Sequence, residues 1–210
     1  MGFEERFKQA WGVFLSPEKK FPALATKEAS LLYSTSNFAL AALAFSLFFI
    51  IYAFSSPITS LSAPHEIILS AIILFVLLLI FQFIFIGILH LCLKLFGSTS
   101  SFSKLFYVFS LIALWAAGAT FPFLLLSILS ELVSGILSLF FLLPALFGLY
   151  VFFFYQLYQF VVAAMAASGL SSLKVIVSLF LSVAIIIFLV LVVISAYAGG
   201  LIASALFSLS

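Results

Sequence analysis

The sequence predicts an all-α, polytopic membrane helix bundle with five transmembrane helices and an N-terminal cytoplasmic amphipathic helix. Hydrophobic residues make up 67% of the 210 residues and charged residues only 7%, whereas soluble domains carry about 25% charged residues. Apolar runs of about 20 residues match the roughly 30 Å hydrocarbon core of a bilayer. Because the first stretch is mostly polar, we expect a cytoplasmic amphipathic leader at 1–35 and a membrane domain at 36–210.

Five apolar segments are long enough to cross a bilayer. They cover about 38–54, 67–92, 105–126, 145–167 and 173–195. The stretch 132–167 is long for one helix and short for two, and a turn before Pro144 would have no polar residue to carry it. Unpaired backbone groups are costly in hydrocarbon. We therefore predict one crossing there, preceded by a short interfacial or re-entrant piece ending at Pro144. A six-span alternative stays open.

The basic residues predict the orientation of these spans. With five crossings, all of them fall on one side of the membrane, which the positive-inside rule assigns to the cytoplasm. We therefore expect the N-terminus in the cytoplasm and the C-terminus outside. These residues are Arg6, Lys8, Lys19, Lys20, Lys27, Lys94, Lys104 and Lys174.

The leader contains a predicted amphipathic helix. Its apolar positions recur at helical spacing and oppose charged residues such as Glu4 and Lys8. Such a helix either lies along the inner leaflet with Trp11 at the interface or docks on the protein's own helices, and the pattern fits both. Ser16, Pro17 and Glu18 indicate the start of a second short helix. The apolar face comprises Phe3, Phe7, Ala10, Trp11 and Phe14.

The second connection between spans carries several chemically active residue types. His90, Cys92, Lys94 and Lys104 surround the turn Gly97-Ser98-Thr99-Ser100. We interpret the turn as a short cytoplasmic loop whose flanking lysines lie at the lipid headgroups.

The residue inventory argues against an enzyme. Zinc sites gather three or four Cys, His or carboxylate ligands, but the chain has two histidines, one cysteine and no aspartate. A nucleophile also needs an orienting base, and His90 has no carboxylate neighbour in sequence. Phosphate-binding glycine loops are missing from the sequence. We expect no catalytic residues, no metal, no cofactor and no nucleic-acid partner.

Polar side chains within the predicted spans form a candidate intramembrane cluster. Intramembrane polar groups are costly and often functional. A polar path between helices is one interpretation of these residues, and simple interhelical hydrogen bonding is the other. The cluster comprises Gln82, Tyr155, Gln156, Tyr158 and Gln159.

Three stretches together resemble the prokaryotic branch of the Yip (Ypt/Rab-interacting protein) domain family. They are the leader with Trp11 and SPEKKF (16–21), HLCLKLFGSTSSFSKLFYVFS (90–110) and AASGLSSLKVIV (166–177). The resemblance implies a five-span protein with a cytoplasmic N-terminus and no enzymatic activity. Eukaryotic relatives bind prenylated Rab GTPases and carry an Asp-Leu-Tyr-Gly-Pro motif. This chain lacks that motif, so Rab-type GTPase binding is not carried over.

The resemblance, together with a sequence that shows no catalytic, metal-binding or phosphate-binding motif, favours a membrane-organising scaffold or adaptor in a prokaryotic cell membrane. Its partners would be the lipid bilayer and a membrane protein or a second copy of the chain. A small-solute channel or transporter, and an accessory subunit of a membrane complex, are the alternatives. The expected cytoplasmic partner surface comprises Phe3, Phe7, Trp11, Phe14, His90, Lys94, Gly97, Ser98, Ser100 and Lys104.

Overall fold

The computed structural model describes residues 3–26, 30–55, 63–133 and 135–207, and these residues form helices joined by short connections. The helices are α1 (Phe3–Leu15), α2 (Pro17–Ala25), α3 (Leu31–Ser55), α4 (Pro64–Leu95), α5 (Phe102–Leu132), α6 (Ile136–Ser168) and α7 (Ser172–Phe207). Lys27, the C-terminal Ser210 and the side chain of Phe3 lie outside the part that is described.

The prediction of an all-α bundle with five spans is confirmed. Within the described residues, five helices, α3 to α7, are long and apolar enough to cross a membrane. The structure also contains the two short helices predicted for the leader, with Pro17 in the first turn of α2. Ser16 precedes that helix without a capping hydrogen bond from its side chain. The first spanning helix begins at Leu31, inside the stretch 1–35 that was predicted as leader.

The predicted re-entrant piece ending at Pro144 is wrong. The chain forms one continuous helix from Ile136 to Ser168 and passes through Pro144 without a break. A break next to Pro144 would expose backbone groups where Leu142 and Leu143 offer no polar side chain to satisfy them, whereas a membrane helix accommodates an interior proline. The single crossing therefore belongs to one long helix.

The spanning helices share two common ends. One end holds the starts of α3, α5 and α7 and the ends of α4 and α6; we call it the basic end, because Lys94, Lys104 and Lys174 lie there. Ring contacts fix this alignment, since Phe38 of α3 lies 4.7 Å from Phe106 of α5. At the opposite end, the Tyr52 hydroxyl donates to Glu131 at 2.7 Å.

Helix α5 is the centre of the bundle, but only in the half near the basic end. Every residue from Leu105 to Ile112 is at most 4% exposed, whereas Phe121, Leu125 and Leu129 are each at least 40% exposed. A helix buried on all sides needs neighbours all round. Helices α3, α4 and α6 supply part of that cover, and the leader helices α1 and α2 supply the rest.

Candidate functional site: the docked leader and the basic end

The leader is docked on the protein's own helices rather than separated from them. Ala10 and Val13 of α1 are 1% and 0% exposed. The Phe14 ring stacks on Trp115 of α5, with ring centroids 4.2 Å apart and an angle of 15° between the planes. Tyr155 of α6 meets Phe14 edge-on at 5.4 Å, and its hydroxyl donates to the Phe14 carbonyl oxygen. Aromatic pairs of this geometry stabilise packing beyond their buried area.

A polar network fastens the start of α1 to α3 and α5. The Arg6 guanidinium donates to the Ser36 hydroxyl at 2.5 Å and to the Asn37 Oδ1 at 3.5 Å. Asn37 is fully buried, and its Nδ2 donates to the Ser110 hydroxyl at 3.2 Å. Arg6 also lies 4.4 Å from the centre of the Tyr33 ring, a cation–π contact.

Two further hydrogen bonds tie the leader to the bundle. Tyr107 of α5 donates to Gln9 of α1 at 3.1 Å, and Tyr158 of α6 donates to Glu18 of α2 at 2.7 Å. The leader is thus held by side chains from three spanning helices. By contrast, the ion pair between Lys8 and Glu4 lies within α1 and is largely exposed, so it contributes little to stability.

One edge of α1 is only partly covered by the bundle. Phe7, Trp11 and Leu15 are spaced by four residues and are 49%, 48% and 62% exposed. The Phe7 and Trp11 rings stack on each other at 6.5 Å. Of the two uses foreseen for the apolar face, docking on the protein's own helices is the one that these contacts show.

The connection between α4 and α5 turns partly inward. Gly97 adopts a φ of +91°, a conformation that favours glycine, and the turn directs Ser98 and Ser100 into buried positions. The Ser98 hydroxyl donates to the Ser168 carbonyl oxygen at 3.3 Å. The turn therefore closes onto the end of α6.

The predicted partner surface is consequently divided. Ser98 and Ser100 are buried, so they can meet a partner only after a rearrangement, whereas Phe14 packs on Trp115 and is only half-buried. His90 lies edge-on to Phe102 at 5.9 Å, and Cys92 is buried and unpaired by a disulfide. The residues of this surface that stay wholly or partly accessible are Phe7, Trp11, Phe14, His90, Lys94, Gly97 and Lys104.

The predicted intramembrane cluster is also divided. Gln82 lies on α4 and the other four residues lie on α6. Phe85 of α4 packs 6.3 Å from Phe160, which brings Gln82 to within about one helical turn of the level of Gln159. No hydrogen bond between described residues joins Gln82 to the α6 glutamines.

Several of these amides are buried without a hydrogen-bond partner. Gln159 is 1% exposed, and neither its Oε1 nor its Nε2 is paired. The Oε1 of Gln82 and the Nε2 of Gln156 are unpaired as well. Tyr155 and Tyr158 instead direct their hydroxyls to the leader. A buried polar group without a hydrogen bond destabilises the fold, so it usually has a functional role or a bound water or ion as its partner.

Sequence reasoning missed the residues that dock the leader. The sequence analysis singled out neither Asn37, which lies one residue before the predicted span 38–54, nor Trp115, which lies within the predicted span 105–126. An indole or amide inside a long apolar segment is itself a signal, because each polar group needs a partner or carries a cost there. That signal identifies the residue but not the element that meets it.

The positions of the basic residues and of the possible metal ligands complete the description of this end of the bundle. Among the described residues, every lysine and arginine lies on the leader or at the basic end. In the same part of the chain, no three His, Cys, Asp or Glu side chains are placed to hold a metal ion.

These features define the class: an all-α, multi-pass membrane protein whose amphipathic leader packs against its own spanning helices. The Yip1 domain family model matches residues 11–207, nearly the whole chain, and the protein therefore belongs to the Yip1 domain family. Neither the curated proteins nor the solved structures include a match to this chain.

Proposed function

We propose that the protein is a non-enzymatic membrane-organising scaffold or adaptor whose leader and basic end face the cytoplasm. The open edge of the docked leader carries this proposal, since Phe7, Trp11 and Leu15 remain exposed although the rest of α1 is anchored. Exposed aromatic residues held on a rigid support suit recognition of a partner. The C-terminus would then lie outside.

The distribution of basic residues supports this orientation. Loops and ends that face the cytoplasm carry the excess of lysine and arginine, and here the leader, Lys94, Lys104 and Lys174 share one end. The opposite end carries Glu66 and Glu131 among its described residues.

The position of the leader supports a membrane-organising role. Helices α1 and α2 pack beside α5 and α6 through Tyr107, Trp115 and Tyr158, all in the half near the basic end. The leader therefore adds to the width of the bundle in that half. We infer that the protein prefers a membrane whose leaflet on that side accommodates the larger cross-section.

Site-specific photocrosslinking tests the adaptor role. A photoreactive residue at Phe7 or Trp11 should form a discrete adduct with one membrane protein or a second copy, and the same partner should co-purify in mild detergent. The matched control is a photoreactive residue at Ile136, which is 78% exposed at the opposite end. Adducts with lipid alone from Phe7 and Trp11, or equal protein adducts from Ile136, would remove the support for this proposal.

A polar path for a small solute is the second candidate function. The unpaired amides of Gln82, Gln156 and Gln159 favour it, because a solute or ordered water could satisfy them. Flux into liposomes should then fall in the Gln156→Leu/Gln159→Leu variant relative to the wild-type protein. If the flux of every solute in a broad panel were no greater than in empty vesicles, this candidate function would be wrong.

A further inference from the structure

An apolar cleft opens where the end of α1 meets α5 and α6. Its volume is about 540 Å³, within the roughly 300–1,000 Å³ of typical ligand sites. Phe14 and Leu15 form one wall, Phe123 of α5 forms the floor, and Phe147 and Val151 of α6 lie at the rim.

The lining of the cleft selects for hydrocarbon. The side chains around it are apolar or aromatic, and the Tyr155 hydroxyl is the polar group among them. That hydroxyl already donates to the Phe14 carbonyl oxygen. A polar ligand would therefore lose its hydration without gaining a partner, whereas an alkyl chain loses nothing on entry.

The rim of the cleft is continuous with the lipid-facing surface of α6. Leu15, Phe147 and Val151 are 62%, 71% and 51% exposed, and Phe140 and Leu143 continue the same exposed apolar surface along α6. Helix α6 is one of the five helices apolar enough to span the membrane. The cleft therefore opens toward the lipid that surrounds a spanning helix.

A glycine of α6 lies beside the cleft. Gly148 contributes to the shape, because a Cβ at this position would overlap the Phe123 ring that forms the floor.

We propose that this cleft is a binding site for one acyl chain of a bilayer phospholipid. The proposal is distinct from the adaptor role, because the cleft lies between α5, α6 and the end of α1 and shares only Leu15 with the exposed edge of Phe7, Trp11 and Leu15. A chain seated there would contact Phe14 and Leu15, the residues that end the docked helix.

The two tryptophans of the chain allow a direct test. Trp115 is 4% exposed and packs on the cleft residues Phe14 and Phe152, with ring centroids 4.2 Å and 5.1 Å away. In the Trp11→Phe variant it is the remaining fluorophore. Bromine atoms on a lipid chain quench tryptophan emission only at close range, so vesicles of brominated phosphatidylcholine report whether a chain reaches Trp115.

The emission of Trp115 is expected to be lower in brominated vesicles than in vesicles of the same lipid without bromine, because a chain in the cleft would lie against Phe14 and Phe152, on which Trp115 packs. Adding Val151→Phe should reverse most of that quenching by filling the cleft, and Val151→Ala should increase it. Leu157→Phe is the matched control, since Leu157 is 43% exposed on the same helix but does not line the cleft. Each variant is first checked for native helix content.

Two outcomes would overturn the proposal. Equal quenching in the Val151→Phe and Leu157→Phe variants would mean that bulk lipid around the protein causes it. Undiminished emission in brominated vesicles would mean that no chain enters, whether the cleft is closed or filled by a second copy of the protein. Either result leaves the adaptor role untouched.

Discussion

Replacing Phe14 with alanine should release the leader from the bundle. Complete loss of a buried phenylalanine side chain costs about 3–5 kcal/mol, and Phe14 is only partly buried, so about 2 kcal/mol applies here. The stacked contact with Trp115 adds about 0.5–1.5 kcal/mol. Together the docking free energy of α1 should fall by about 2.5–3.5 kcal/mol. Because each 1.4 kcal/mol is a factor of ten, the docked state should be roughly 60- to 300-fold less favoured.

Hydrogen exchange of the α1 amides measures this loss, because local opening controls their protection. The control is Phe7→Ala, which removes the same side chain from the same helix where it is 49% exposed. Substitutions at such surface positions usually change stability by about 0.5 kcal/mol or less, so protection should change less than about threefold. If Phe7→Ala reduced protection as much as Phe14→Ala, the stack of Phe14 on Trp115 would not be the contact that holds α1 on the bundle.

Three further substitutions test the packing, each read as the thermal unfolding midpoint of the purified protein in one detergent. Asn37→Leu breaks hydrogen bonds to α5 and to Arg6 of the leader and should lower the free energy of unfolding by about 1–3 kcal/mol. Thr35→Val is the control and should change it little, because the Thr35 hydroxyl bonds only within its own helix. Gly148→Ala should cost about 1–3 kcal/mol through overpacking, but Gly118→Ala meets only an ordinary contact and should not. Gln159→Met removes unpaired buried atoms and should raise the midpoint; a lowered midpoint would show that this amide has a partner.

The number and type of helices could be predicted from the sequence because bilayer thickness fixes how long an apolar run must be. Uninterrupted runs of that length, separated by turn residues such as Gly97 and Gly169, define the five spans. The re-entrant piece before Pro144 was predicted because the stretch 132–167 is long for one membrane crossing, but in an apolar segment the backbone has no better alternative than to continue the helix.

The docking of the leader could not be predicted, because helical periodicity does not identify what an apolar face meets. Phe7 and Phe14 lie on the same face by spacing, yet only Phe14 packs on Trp115. Likewise, the spacing of Tyr155 and Tyr158 indicates a shared face but not that the leader lies opposite to accept their hydrogen bonds. Such contacts depend on tertiary placement of segments that are more than 100 residues apart in the chain.

Cysteine labelling in intact cells tests most directly the claim that the leader and the basic end share the cytoplasmic side of a five-span bundle. With buried Cys92 replaced by alanine, single cysteines are placed at Lys19, Lys94 and Ile136, all of them exposed. A membrane-impermeant maleimide should label Ile136→Cys in intact cells, and should label Lys19→Cys and Lys94→Cys only after the membrane is opened. Labelling of Ile136→Cys and Lys94→Cys from the same side would contradict the account.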